Sequence, residues 1–190
     1  MTVVHVILET DRMLLRRFTP DDLELLVELD DDREVMRFIN GGLPVDRGDV
    51  AEALEWWLGY YDRGEAFGFW AAIDRSDGAF LGWFHFRPGA GHDASEPELG
   101  YRLHRRAWGS GLATEGSRAL IDRGFAQLGI ERVLAETMAV HGASRRVMEK
   151  SGMHLARTFH ADWPVRIEGD EHGDVEYVID RSEWEAGRST

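Results

Sequence analysis

The chain has 190 residues, 43% of them hydrophobic and 11% aromatic, enough for one ordinary domain with a sizeable core and unlike a disordered polymer. It contains no cysteine, which excludes disulfides, thiolate nucleophiles and Cys-based zinc sites. Its net charge is −13, yet the stretch from Arg102 to Lys150 holds nine cations against five acids, so that segment carries +4 and the remainder −17. A positive middle in an acidic chain suits a small polyanionic ligand better than nucleic acid, which asks for a broad basic surface. The plain alternative is a cluster of solvated arginines.

The opening "MTVVHVILETDRMLLRR" has neither a basic leader nor a continuous apolar stretch and does not read as a signal peptide. No run of about 18 apolar residues follows. A soluble cytoplasmic protein without a membrane partner is expected. "RMLLRRF" (12–18) reads as a strand, and "TPDD" starts a helix with Thr19 as N-cap and Pro20 first inside it. A second helix is expected from about Arg47 to Arg63. The aromatic stretches "AFGFWAAI" (66–73) and "AFLGWFHFR" (79–87) read as strands joined through "DRSDG", whose Asp-Gly signals a hairpin. A fourth strand, "ELGYRLH" (98–104), leads to a glycine turn. A helix (112–128), a strand "RVLAETMA" (132–139), a helix (142–151) and strands near 153–161 and 173–179 complete the chain. The pattern is α+β, with a mostly antiparallel sheet of about seven strands and no internal repeat.

The glycine turn, "RRAWGSGLATEG" (105–116), joins a strand to a helix. It is not a phosphate-binding loop of the Gly-Lys-Ser/Thr kind, since no lysine follows Gly111, and the dinucleotide fingerprint lacks its third glycine, with Thr114 in that place. Gly109 and Gly111 still permit close approach of a ligand to the backbone, and the first-turn N–H groups of the helix lack intrahelical partners, so an anion such as pyrophosphate fits. A purely structural turn is the alternative.

These residues resemble the GNAT acyl-CoA N-acyltransferases, in particular their RimJ/RimL-like branch. The phosphate signature of that family is Arg/Gln-x-x-Gly-x-Gly/Ala, matched by Arg106-Ala-Trp-Gly109-Ser-Gly111; "ASRRVMEKSGM" (143–153) and "LETDRMLLRRFTPDD" are similar to further segments of the branch. The resemblance spans about residues 8–180. It implies a single GNAT-type domain over 1–190, with helices on both faces of a twisted sheet and a splayed strand pair that holds the cofactor. It further implies acetyl-CoA as cosubstrate, held by Leu103, Arg106, Trp108, Gly109, Gly111, Leu112, Ala113, Thr114 and His141. The strand ending at Leu103 would pair with pantetheine along the notch. His141 stands where the family favours Asn, and a solvated helix-start histidine is its alternative.

The implied reaction is acetyl transfer to a primary amine, of a protein N-terminus or a small molecule, by direct attack. The amine must lose a proton, for which a carboxylate, or a water chain leading to one, serves as base. Glu98 occupies the position where the branch often carries such a glutamate; the alternative is a strand-edge carboxylate. Many relatives protonate the leaving thiolate with a tyrosine, which maps onto Met148. Met cannot donate, so Ser144 is read as the acid, with a locally satisfied helix hydroxyl as the alternative. Eight histidines are scattered without metal-ligand spacing, so no metal is expected. Trp56, Trp57, Trp70 and Trp83 would line an acceptor pocket or, as aromatic residues usually do, the core. The acids around 168–176 would attract a cationic amine or, as charge runs usually do, form a solvated loop, which is the expectation. Monomer and homodimer both fit, and an acyl-CoA-binding regulatory protein without turnover is the competing class.

Overall fold

The computed structural model describes residues 5–89, 91–163 and 165–188. Its strands are β1 (Val6–Glu9), β2 (Met13–Arg17), β3 (Gly68–Asp74), β4 (Phe80–Pro88), β5 (Pro97–Leu103), β6 (Arg132–Met138), β7 (His154–Phe159) and β8 (Asp174–Asp180). Six helices accompany them among the described residues: α1 (Leu23–Asp30), α2 (Arg33–Asn40), α3 (Arg47–Tyr60), α4 (Leu112–Gln127), α5 (Gly142–Lys150) and α6 (Arg181–Arg188). The eight strands form one open, mostly antiparallel sheet in the order β1-β2-β3-β4-β5-β6-β8-β7. The sequence pattern misses β1, α2 and α6, so the sheet has one strand more than expected.

The chain divides into two compact units, one of Met1–His85 with Tyr101–Leu112 and the other of Phe86–Gly100 with Ala113–Thr190. In the first, β2 pairs antiparallel with β3 from Met13↔Asp74 to Arg17↔Trp70. The apolar sides of α1 and α3 meet the strands in one core: Leu26, Leu29, Leu54 and Trp57 pack with Phe18, Phe69 and Trp83. Trp57 stacks on Phe69 with ring centroids 4.5 Å apart. Pro20 begins a single 3-10 turn, Pro20–Asp22, ahead of α1. Thr19 donates its N–H and its Oγ1 to Asp22 at 2.8 and 3.1 Å, and Arg16 holds the same carboxylate through two bonds of 2.7 Å. Burial pushes the Asp22 carboxyl up, but the bonds from Arg16 and Thr19 outweigh it and hold the group below the usual carboxylate range.

In the second unit β6 pairs antiparallel with β8 over Arg132↔Asp180 to Met138↔Asp174, and β8 pairs with β7. The parallel partner of β6 is β5, registered at Glu98↔Leu134. That single register position contrasts with the long β6/β8 ladder, as expected of a strand pair that splays. The last loop differs from expectation. Asp174 is buried and accepts bonds from the Ala161 N–H at 3.0 Å and the Trp163 indole at 3.2 Å. Asp170 accepts from the Ile167 N–H at 3.2 Å. These acids tie the loop together because its backbone donors would otherwise lack partners.

Candidate functional site

The glycine turn belongs to the first unit. After the 3-10 turn Arg105–Ala107, Gly109 and Gly111 adopt φ values of 69° and 84°, and α4 begins at Leu112. A side chain at Gly109 would meet nothing within 4 Å, and one at Gly111 would meet only the Arg12 guanidinium, at 3.5 Å. Glycine is therefore required here by backbone conformation, while the space beside it stays open. Side chains from several elements brace the turn. Arg12 donates to the Ser110 carbonyl at 2.8 Å, Ser110 Oγ donates to the Ala107 carbonyl at 2.7 Å, and the Trp108 indole donates to the Leu103 carbonyl at 2.8 Å. Arg106 donates to the Phe80 carbonyl. An open cleft of about 800 Å³ lies against the turn, lined by Arg12, Arg75, Arg106, Ser110 and Leu112 among others.

Most of the positive charge of the 102–150 segment is bonded within the protein. Six of its nine cations are engaged inside the protein: Arg102 with Asp30, Arg105 with Asp32, Arg106 with Phe80, Arg118 with the Lys150 carbonyl, Arg132 with Asp180, and Arg145 with the Ala139 carbonyl. Positive potential beside the turn comes from Arg12, Arg75 and Arg106, which line the cleft, and from the N-terminal dipole of α4.

The candidate acid and base belong to the second unit. Glu98 stands on β5 with Arg87 at 3.7 Å. Burial raises its carboxyl above the usual range despite the opposing charges of Arg87 and His92. The register then brings in a residue that the sequence does not single out. Since Glu98 aligns with Leu134, Glu136 lies two residues further along the same face of β6, and Glu176 of β8 is directly opposite it. Burial, with the charges of Glu98 and Glu176, pushes the Glu136 carboxyl up to about 6. Glu176 goes the other way, lowered by its 2.7 Å bond from Arg157. Glu98 and Glu136 are thus both raised while Glu176 is lowered. Period-2 alternation in "RVLAETM" gives Glu136 the look of an ordinary outward-facing strand residue, and only the pairing reveals its neighbours.

Ser144 and Met148 share the buried side of α5, one helical turn apart. His141 is the N-cap residue of that helix, and burial pushes its imidazole down to about 4, so the ring is neutral at physiological pH and able to donate one hydrogen bond. Leu103 and Leu112 are buried at the two ends of the turn, and Ala113 and Thr114 are half-buried in the first turn of α4. Of the four tryptophans, Trp57, Trp70 and Trp83 are buried, whereas Trp56 is 51% exposed. Three of them are core. His154 pairs with Glu183 at 3.1 Å and His160 lies 3.4 Å from the Glu171 carbonyl. Among the described residues no group of three His, Asp or Glu is placed to hold a metal, and no helix is long and apolar enough to cross a membrane.

Comparison with known proteins places this arrangement. Residues 12–154 match the family model of the acetyltransferase (GNAT) domain. The chain is 31% identical over 183 residues to the FsC-acetyl coenzyme A-N(2)-transacetylase of Aspergillus fumigatus, a match that covers 93% of this chain and 77% of that protein. In fold it is similar to RimL, an alpha-N-protein acetyltransferase of a ribosomal protein solved with coenzyme A, at a TM-score of 0.76, 15% identity and coverage of 93% and 98% of the two chains. It is likewise similar to the spermidine N-acetyltransferase of Vibrio cholerae, at a TM-score of 0.73, 15% identity and coverage of 92% and 99%. The resemblance carried by the glycine turn and the two flanking motifs holds over most of the chain: the protein belongs to the GNAT family and is an acetyl-CoA-dependent acyltransferase.

Proposed function

We propose that the protein, acting as one catalytic domain over residues 1–190, moves the acetyl group of acetyl-CoA to a primary amine by direct attack in a ternary complex. The observation that carries this reading is the turn at Gly109 and Gly111, whose left-handed glycines leave open space at the N-terminus of a 16-residue helix. The backbone amides of Gly109, Gly111, Leu112 and Ala113 would hold the pyrophosphate, with Thr114 in the same first turn. Arg106 and Trp108 would fix the turn in place, since both side chains bond to backbone carbonyls of neighbouring strands. Leu103 ends the strand along which pantetheine would lie, and His141, neutral, would donate a hydrogen bond to the coenzyme.

Acetyl-CoA supplies an activated acyl carbon. Glu98 takes the proton of the attacking amine, with Glu136 beside it as a carboxyl that titrates near neutrality. The carbon–nitrogen bond forms, the carbon–sulfur bond breaks, and Ser144 supplies a proton to the departing thiolate. Both acceptor classes have support among the relatives: RimL is described as acting on a protein α-amine and the Vibrio cholerae enzyme on spermidine. Thiol release from acetyl-CoA across a panel of N-terminal peptides and small primary amines tests the reading. Turnover with at least one amine is expected. Tight coenzyme binding without thiol release on any of them would instead make the protein an acyl-CoA-binding regulator.

A further inference from the structure

Gly89, the first residue after β4, lies against Glu98. A Cβ on Gly89 would come within 3.3 Å of Glu98 Oε2, 3.7 Å of His92 Cδ2 and 3.9 Å of Glu98 Cβ. Gly89 is not among the glycines with positive φ, so its backbone would accept any L residue. What a side chain lacks there is room. Gly89, His92 and Ser95 are also tied by hydrogen bonds. The His92 N–H donates to the Gly89 carbonyl at 3.2 Å, and His92 Nδ1 lies 3.3 Å from Glu96. Ser95 is fixed by Asp93 at 2.5 and 2.7 Å, while its carbonyl accepts the N–H groups of Glu131 and Arg132 at the head of β6, at 2.9 and 3.2 Å.

We propose that Gly89 and His92 are positioning residues for acetyl transfer, the glycine letting the loop backbone lie against the Glu98 carboxylate and the histidine placing a partner of favourable charge near it. This rests on Glu98 being the base. A carboxylate that accepts a proton from an amine must be held where that amine or a bridging water can reach it. Charged groups on three elements interact with Glu98. Arg87 on β4 and His92 on the loop act on it with positive charge, and its own charge reaches Glu136 on β6, which Glu176 also faces. A methyl group at position 89 would push the carboxylate by a few tenths of an ångström and bury it further, favouring the protonated form. Removing the imidazole would take away a partner that, when charged, favours the ionised form.

The test is the pH profile of kcat for Gly89→Ala and His92→Gln, measured beside Glu98→Gln with the best amine of the panel. Both loop variants should move the acid limb to higher pH by roughly 0.5–1 unit, with melting temperature and KM for acetyl-CoA unchanged. His92→Gln carries the test alone if Gly89→Ala does not fold. Loop variants with the wild-type limb, alongside a Glu98→Gln enzyme that has lost it, would overturn the positioning role and leave the base intact. A Glu98→Gln enzyme that keeps the wild-type limb would remove the base and the positioning role with it.

Discussion

At the residue scale the chemistry turns on a few protons. Glu98→Gln should lower kcat most at neutral pH and be partly rescued at alkaline pH, where more of the acceptor amine is already neutral. Glu136 adds a signed expectation. Its carboxyl is raised from the ordinary glutamate value of 4.5 to about 6, so the folded protein binds the extra proton in that window and loses stability as pH rises through it. Glu136→Gln should therefore stabilise the protein above pH 6 relative to wild type and not below 4.5, and should remove a titration step near 6 from the rate profile. Melting curves at several pH values check the first part. Ser144→Ala should lower kcat while barely altering acetyl-CoA affinity, by at most about 10²–10⁴-fold, because the hydroxyl acts as the thiolate leaves. Loss of coenzyme affinity would make Ser144 a binding residue.

At the element scale, Gly111→Val should abolish coenzyme binding in a protein that still folds. Valine opposes φ of 84° and blocks approach to the backbone, and unchanged affinity would make the turn purely structural. This turn was legible because its signal is local: two glycines between a strand and a helix, within a motif of fixed spacing. The long helices and aromatic strands were legible for the same reason. Elements of other kinds escaped. β1 is a four-residue edge strand, exposed or half-buried throughout and with a shifted register against β2, so it leaves no alternation to read. α2 does carry signals: Asp32 accepts the Glu34 N–H at 3.0 Å and Gly41 closes the helix at φ 78°. Those caps lie in a stretch of charged residues that looks like loop. α6 follows β8 without a break, and its start is marked by the Asp180 N–H donating to Glu183 at 2.8 Å. Glu136 is the clearest case on the chemical side. Its neighbours come from strand pairing across distant sequence, which no local pattern records.

At the scale of the whole molecule, charge was the least reliable guide. The cationic segment 102–150 suggested a ligand patch, yet most of its arginines bond to acids and carbonyls of the protein itself. The fold, by contrast, follows from the succession of elements, and the open sheet with β5 and β6 parallel at its middle is the consequence. Heat stability with and without acetyl-CoA tests the coenzyme assignment most directly. At about a hundred times its dissociation constant, a ligand bound only by the native state adds roughly 2.7 kcal/mol, which for a chain of this size raises the melting temperature by roughly 5–10 °C. Acetyl-CoA should produce that rise, while NAD and ATP at the same concentration produce much less. A melting temperature unmoved by acetyl-CoA would contradict the assignment of the glycine turn to the coenzyme.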